Sequence, residues 1–168
     1  MRLLVVRHAA AEDKDEFART GRSDELRPLT AEGKRDMREA ARGLRDVVPK
    51  IDVLATSPLV RAVETAEILG AAYDREHVIV EALRPESPYD DLARWARAHA
   101  KKDVVAIVGH EPHLSGLVSW LLAGAKTSFI DLKKGAACML EIEGVPSSGS
   151  AMLLWSMAPR QLRAIGRR

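Results

Sequence analysis

The chain has 168 residues, of which 46% are hydrophobic and 30% are charged, and this composition argues against a disordered protein. It carries 26 lysines and arginines against 24 aspartates and glutamates, so its net charge is only +2. The charges form no long basic block and only 4% of the residues are aromatic, which together disfavour a nucleic-acid partner.

Short apolar runs alternate with helical segments in the first half of the chain. Residues 3–6 predict a strand buried on both faces, and a polar loop follows over residues 9–29. Thr30 is a suitable N-cap for a helix that extends to about residue 48. Next come a strand over residues 53–55, a helix with Ser57 as N-cap and Pro58 as first residue, and a strand over residues 78–80.

The second half continues this alternation and then changes after Gly124. It predicts a helix over about residues 89–100, a strong strand over residues 104–108 and a helix opened by Pro112. Two strands over residues 137–142 and 152–155 follow, joined by a turn, and a short helix over residues 159–165 comes last.

This order of elements predicts an α/β fold. We expect a three-layer α/β/α sandwich with a mainly parallel central sheet and a C-terminal β-hairpin. The elements use most of residues 1–168, so we expect a single domain without a cap insertion.

The cysteine content and the hydropathy of the sequence indicate in which cellular compartment the protein is found. Cys138 is the one cysteine, which excludes an internal disulfide, and its apolar neighbours predict a core position. Arg7 and His8 interrupt the first apolar run, so we expect no signal peptide, and no apolar run approaches the roughly 20 residues that span a bilayer. We therefore expect a soluble, cytoplasmic protein without a membrane partner.

Residues suited to phosphate chemistry follow four predicted strands. They are Arg7 and His8 after the first strand, Ser57 and Arg61 after the second, Glu81 after the third and His110 after the fourth. Because ligands of open α/β sheets bind beyond the carboxyl ends of the strands, we expect these residues to converge. Two guanidinium groups can hold a phosphoryl group, and a neutral histidine beside them can attack it without a metal or a cofactor.

Three motifs in this order resemble the histidine phosphatase superfamily. They are LLVVRH at residues 3–8, SPLVRAVETA at residues 57–66 and VGHEP at residues 108–112. The segment RPLTAEG at residues 27–33 is similar to the SixA-type phosphohistidine phosphatase branch of that family. The resemblance covers nearly the whole chain and implies a phosphoglycerate mutase-like fold.

The same resemblance implies roles for four residues. His8 is then the nucleophile that becomes transiently phosphorylated, Arg7 and Arg61 hold the phosphate, and His110 is a second histidine that contacts the phosphoryl oxygens. The chain departs from the family signature at Ala9, where glycine is usual. A Cβ at that position is compatible with the chemistry if the backbone keeps a negative φ.

Three further residues are assigned from their positions. Arg27 is either an auxiliary phosphate contact or a tie within its loop, and Ser57 is a candidate phosphate contact. His113 lies three residues after His110, but Pro112 at the helix start separates them, so we predict a capping or supporting role and no metal site.

The possible substrates differ in the leaving group that the enzyme must release. An alkoxide needs a general acid, whereas the imidazole of phosphohistidine leaves with less help. Glu81 is the candidate acid, or else a loop carboxylate paired with Arg84, and Glu86, Asp90 and Asp91 are near alternatives.

We expect a phosphohistidine phosphatase that acts through a phospho-His8 intermediate, because a chain without a cap suits a phosphorylated side chain on another protein. Its partner would be a phosphohistidine-bearing protein, such as a phosphotransfer domain or carrier, and its product inorganic phosphate. The alternatives are a small-molecule phosphomonoesterase or mutase-like enzyme with Glu81 as acid, and a non-catalytic phosphate-binding module.

Overall fold

The computed structural model describes residues 1–167 and has six strands in one sheet. The strands are β1 (Arg2–Arg7), β2 (Val53–Thr56), β3 (His77–Ile79), β4 (Val104–Gly109), β5 (Ala137–Ile142) and β6 (Ala151–Met157). Their spatial order is β3-β2-β4-β1-β5-β6. The first four in this order are parallel, and β5 and β6 are antiparallel to their neighbours. The predicted mainly parallel sheet with a C-terminal hairpin is confirmed.

Within the described residues 1–167, six helices connect the strands and cover the sheet. They are α1 (Lys14–Ala18), α2 (Ala31–Val47), α3 (Val60–Tyr73), α4 (Tyr89–Arg97), α5 (His113–Ala123) and α6 (Pro159–Gly166). Two short 3₁₀ turns lie at Asp24–Leu26 and Glu81–Leu83. Among residues 1–167, none of the helices combines the length and the apolar character needed to cross a bilayer. The cytoplasmic location stays a prediction.

Alternate residues of β1 point to two separate hydrophobic layers. Leu4 and Val6 pack with side chains of α2, α3 and α6, whereas Leu3 and Val5 pack with side chains of α4 and α5. This is the three-layer arrangement predicted from the continuous apolar runs. Cys138 belongs to the second layer and is fully buried, which confirms its core position, and burial raises the pKa of its thiol to about 12.

The loop after β1 has more structure than its polar sequence indicated. Asp13 caps α1, since its Oδ1 accepts hydrogen bonds from the backbone N–H groups of Asp15 and Glu16, both at 2.9 Å. Phe17 anchors this short helix in the core. The prediction of an irregular loop over residues 9–29 is therefore wrong for α1 and for the first 3₁₀ turn.

The start of α3 also differs from the prediction. The N-cap is Leu59 and not Ser57, and it makes no side-chain capping bond. The Ser57 hydroxyl lies 2.8 Å from His110 Nε2 and only 3.4 Å from the Leu59 N–H, so its main contact is with the histidine. By contrast, Thr30 caps α2 as predicted, with the Gly33 N–H donating to its hydroxyl at 2.9 Å.

Candidate active site

The predicted residues converge because of the register between β1 and β4. Arg7 pairs with Gly109 across the two parallel strands, so His8 and His110 follow at the same edge of the sheet. Thr56 of β2 pairs with Val108, which brings Ser57 to the same edge and Arg61 into the first turn of α3 above it.

A cavity of about 470 Å³ opens at this edge. Five of the predicted residues line it, namely Arg7, His8, Arg27, Arg61 and His110. Several carboxylates also line it, among them Glu12, Asp24, Glu86 and Glu111. The cavity is therefore lined by charged groups of both signs.

The tautomer of His8 follows from its hydrogen bond. His8 is 5% exposed, and its Nδ1 lies 2.7 Å from the carbonyl oxygen of Ala9. A carbonyl oxygen only accepts, so Nδ1 carries the proton and Nε2 carries a free lone pair. Its backbone N–H donates to the Gly109 carbonyl at 3.0 Å, which ties the residue to β4.

The imidazole of His8 is neutral at neutral pH. Burial is the largest cause and lowers the pKa of His8 from 6.5 to about 3. The hydrogen bond to Ala9 acts in the opposite direction, while the charges of Arg61 and Arg7 lower the pKa further. A neutral imidazole with a free Nε2 is the nucleophilic form of histidine.

Ala9 fits the site without backbone strain. Asp74, with a φ of 50°, is the one non-glycine residue of positive φ among residues 1–167, so Ala9 has a negative φ. The Ala9 N–H donates to Thr65 Oγ1 at 3.1 Å, and that hydroxyl donates to the Arg61 carbonyl at 2.7 Å. These bonds connect the backbone beside His8 to the helix that carries Arg61.

Two arginines present buried donors at the cavity. Arg7 Nη1 donates to the Leu132 carbonyl at 2.6 Å, and Arg61 Nη1 donates to the Asp24 carbonyl at 2.9 Å. Within residues 1–167 the Nε atoms of Arg7 and Arg61 are buried and have no hydrogen-bond partner. Buried donors without partners are rare, and an anion in the cavity would supply acceptors for them.

His110 faces His8 across the cavity. The two ring centroids are 5.2 Å apart with their planes tilted by 53°, and His110 is also buried. Burial is the main cause that lowers the pKa of His110 to about 2, and the charge of Arg61 adds to it. Ser57 is buried behind His110 and does not line the cavity, so it orients the histidine and is not placed as a phosphate contact.

Arg27 ties its loop together at the cavity wall. Its Nε donates to Asp24 Oδ1 at 2.8 Å, and its Nη1 donates to the Glu12 carbonyl at 2.8 Å. Because Arg27 also lines the cavity, the structure places it in both of the positions considered from the sequence.

The expected convergence of Glu81 on the cavity is corrected by the structure. Its side chain is 71% exposed and its carboxylate pairs with Arg84 at 2.6 Å, while the cavity lining does not include it. The 3₁₀ turn that begins at Glu81 directs the carboxylate back to Arg84, three residues on. Asp90 and Asp91 lie in α4 and do not line the cavity either.

Two other carboxylates do line the cavity. Glu86 was an alternative from the sequence, whereas Glu111 was missed although it directly follows His110. Burial raises the pKa of Glu111, and the Ser115 N–H donates to its Oε1 at 3.1 Å. The motif at residues 108–112 contained the signal, because a residue next to a cavity histidine lies at the same edge of the sheet.

His113 supports the loop before α4. Its Nε2 donates to the Ser87 carbonyl at 2.9 Å, and the residue is buried at the start of α5. Within residues 1–167, no three His, Cys, Asp or Glu side chains are grouped so that they could hold a metal ion.

The histidine pKa values predict how stability depends on pH. Burial lowers the pKa of His8, His110 and His113 in the folded state, whereas the unfolded chain has histidine pKa values near 6.5. Below that pH the unfolded chain binds protons that the folded chain does not. We therefore expect the free energy of unfolding to fall as pH decreases, by about 1.4 kcal/mol per pH unit for each histidine. Glu111, whose pKa is raised, acts in the opposite direction but is a single group.

Urea unfolding at several pH values between about 7 and 5 measures this effect. The substitution His110→Asn removes one of the three groups and should reduce the slope of stability against pH. Equal unfolding free energies at both ends of this range would contradict the neutral, buried state of these histidines.

Comparisons with known proteins agree with this geometry. The model of the histidine phosphatase superfamily (branch 1) matches residues 3–87. An uncharacterized protein of Picosynechococcus sp. is 32% identical over 137 residues, which are 80% of this chain and 81% of that protein. Phosphohistidine phosphatase SixA of Escherichia coli is 25% identical over 167 residues, with 97% of each chain covered.

Solved structures share the fold. The protein histidine phosphatase SixA in complex with tungstate superposes with a TM-score of 0.81 at 24% identity, covering 96% of this chain and 99% of the other. The alpha-ribazole phosphatase of Shigella flexneri superposes with a TM-score of 0.73 at 19% identity, covering 95% and 97% of the two chains. Chains with different phosphatase names therefore share this architecture.

Proposed function

The chain belongs to the histidine phosphatase superfamily, and we propose that this phosphatase removes the phosphoryl group from a phosphohistidine residue of another protein through a phospho-His8 intermediate. The observation that carries the proposal is the state of His8: a buried, neutral imidazole whose Nδ1–H is held by the Ala9 carbonyl. Its free Nε2 is available for attack on phosphorus at the cavity.

The reaction has two steps. In the first, the lone pair of His8 Nε2 forms a bond to phosphorus while the phosphorus–nitrogen bond of the substrate breaks, and the leaving imidazole takes a proton from solvent water. In the second, water attacks phospho-His8, the new bond breaks, and inorganic phosphate leaves with His8 neutral again. The free Nε–H groups of Arg7 and Arg61 are the candidate donors to the phosphoryl oxygens in both steps.

The position of Glu81 supports phosphohistidine over an alkyl ester. A leaving imidazole needs little help from an acid, and Glu81, the acid predicted from the sequence, lies outside the cavity. We also propose that the chain acts as a single domain without a cap, so that a phosphorylated side chain on a protein surface can reach His8 past Lys14 of α1 and the loop residues Glu86 and Lys134.

A second candidate function is hydrolysis of small phosphate esters. The observation that favours it is Glu111, a half-buried carboxyl at the cavity whose pKa is raised by burial and which could protonate an alkoxide. Non-catalytic phosphate binding is the third alternative, and it requires no labile bond to His8.

Turnover of a histidine-phosphorylated protein should be compared with turnover of a panel of small phosphate esters, in the presence of a chelator. We expect the phosphoprotein to be the better substrate by at least about 10²-fold in kcat/KM, because an alkoxide leaving group needs a general acid whereas an imidazole leaving group needs little such help. The variant Glu111→Gln should leave phosphoprotein turnover nearly unchanged, and Glu81→Gln is the matched control outside the cavity.

Two other outcomes of this comparison would contradict the proposal. Similar turnover of esters, lost in Glu111→Gln and retained in Glu81→Gln, would establish the small-molecule function. Binding of phosphate without turnover of either substrate class would establish the binding module.

A further inference from the structure

We propose that Asp24 is a positioning residue that fixes Arg61 and competes with phosphate for its guanidinium group, so that the product phosphate is held weakly. The inference rests on the proposed role of Arg61 as a phosphate contact. It goes further because it assigns a function to a carboxylate that the reaction itself does not use.

Asp24 lines the cavity and contacts two of its arginines. Its carbonyl oxygen accepts from Arg61 Nη1 at 2.9 Å, and its Oδ2 lies 3.2 Å from Arg61 Nη2. Its Oδ1 accepts from Arg27 Nε at 2.8 Å. One residue therefore contacts both terminal nitrogens of Arg61 and bridges to a second cavity arginine.

The side chains of Arg61 and Asp24 differ in their exposure to solvent. The Arg61 side chain is 6% exposed, whereas that of Asp24 is 43% exposed. The guanidinium group therefore depends on Asp24 for its orientation, while the carboxylate can be solvated. Asp24 is charged at neutral pH, because hydrogen bonding from Arg27 and the charge of Arg61 outweigh its partial burial and lower its pKa.

Asp24 and a bound phosphate compete for the N–H donors of Arg61. A guanidinium group has five N–H donors. In Arg61, Nη1 donates to the Asp24 carbonyl and Nη2 forms an ion pair with Asp24 Oδ2 at 3.2 Å. The buried Nε–H, which has no partner among residues 1–167, and the terminal N–H groups that do not face Asp24 remain for a phosphoryl group. Phosphoryl oxygens that bind there come close to the Asp24 carboxylate, and repulsion between the two anions weakens the binding.

The test is calorimetric binding of inorganic phosphate to the Asp24→Asn variant. Asparagine keeps the backbone carbonyl and an amide oxygen toward Arg61 but removes the charge. We expect the Kd of phosphate to fall by about 10-fold, from the loss of repulsion at a few ångströms near the surface. In turnover of any accepted substrate, KM and kcat should fall together, since phosphate leaves more slowly.

A second variant separates charge from orientation. Asp24→Ala also removes the side-chain contact with Arg61, so it should bind phosphate more weakly than Asp24→Asn. Equal binding by the two variants would refute the positioning role. The matched control is Asp91→Asn, which breaks an exposed pair with Arg94 away from the cavity and should leave the Kd unchanged.

An unchanged or higher Kd in Asp24→Asn would overturn the competition. This readout is independent of the substrate proposal, because phosphate binding is measured without turnover. If phosphohistidine is not hydrolysed but Asp24→Asn binds phosphate more tightly, the proposed substrate alone is wrong. If phosphohistidine is hydrolysed and the Kd does not fall, only this inference is wrong.

Discussion

Replacement of His8 by alanine is expected to reduce kcat by about 10⁴-fold or more, because the residue supplies the nucleophile and nothing else in the cavity can replace it. The adjacent His110 is not placed to substitute, since its Nε2 is engaged by the Ser57 hydroxyl at 2.8 Å and its Nδ1 is buried away from solvent. Steady-state turnover of a histidine-phosphorylated protein gives kcat for both enzymes. Phosphate binding should persist in the variant, since Arg7 and Arg61 are unchanged.

The matched control is His77→Gln. His77 begins β3 at the edge of the sheet, away from the cavity, and its replacement should leave kcat unaffected. If His8→Ala kept more than about a tenth of the wild-type kcat, His8 would not be the nucleophile.

Replacement of Arg61 by alanine is expected to lower kcat/KM by about 10²–10³-fold, the usual loss when a preorganised donor to a transferring group is removed. The Nε–H of Arg61 is buried without a partner among residues 1–167 and Arg61 lines the cavity, so an anion bound there would supply an acceptor. The variant Arg61→Lys keeps the charge but loses the planar fork, and it should recover only a part of this loss. Initial rates measured below KM give the ratio directly.

The control for charge alone is Arg45→Ala. Arg45 lies on α2 and donates to the Ala72 carbonyl at 2.8 Å on the protein surface. Its removal should change kcat/KM by less than about twofold, because distant surface charges are screened by salt. Full recovery of activity in Arg61→Lys would show that the site needs only a positive charge.

The fold could be predicted because the strands are buried on both faces. Residues of β1 and β4 form continuous apolar runs, and such runs bounded by polar turns identify central parallel strands. The convergence of Arg7, His8 and His110 then followed from parallel strands ending at one edge. Neither the strands nor the convergence of these residues depends on the details of side-chain packing.

The direction of individual side chains was harder to predict. Ser57 is a residue type that commonly caps helices, yet its hydroxyl contacts His110, because the loop after β4 brings that ring closer to it than the Leu59 N–H at the start of α3. Glu81 follows a strand like the other site residues, but a 3₁₀ turn directs it to Arg84. Both outcomes depend on tertiary contacts that a single sequence does not contain.

The role of Asp24 could not be predicted for a related reason. It lies in a polar loop, 37 residues before Arg61 in the chain, and only the packing of the 3₁₀ turn against α3 brings the two together. Loop carboxylates are common on protein surfaces, so the sequence offers no reason to select this one.

The most direct test of the account is rapid quenching of the enzyme during turnover of a histidine-phosphorylated protein, followed by mass spectrometry of its peptides. The account predicts a transient phosphoryl group on the peptide that contains His8, stable in alkali and labile in acid, and absent from His8→Ala. Turnover at the full rate with no phosphoryl group on that peptide, or with the label on another residue, would contradict it.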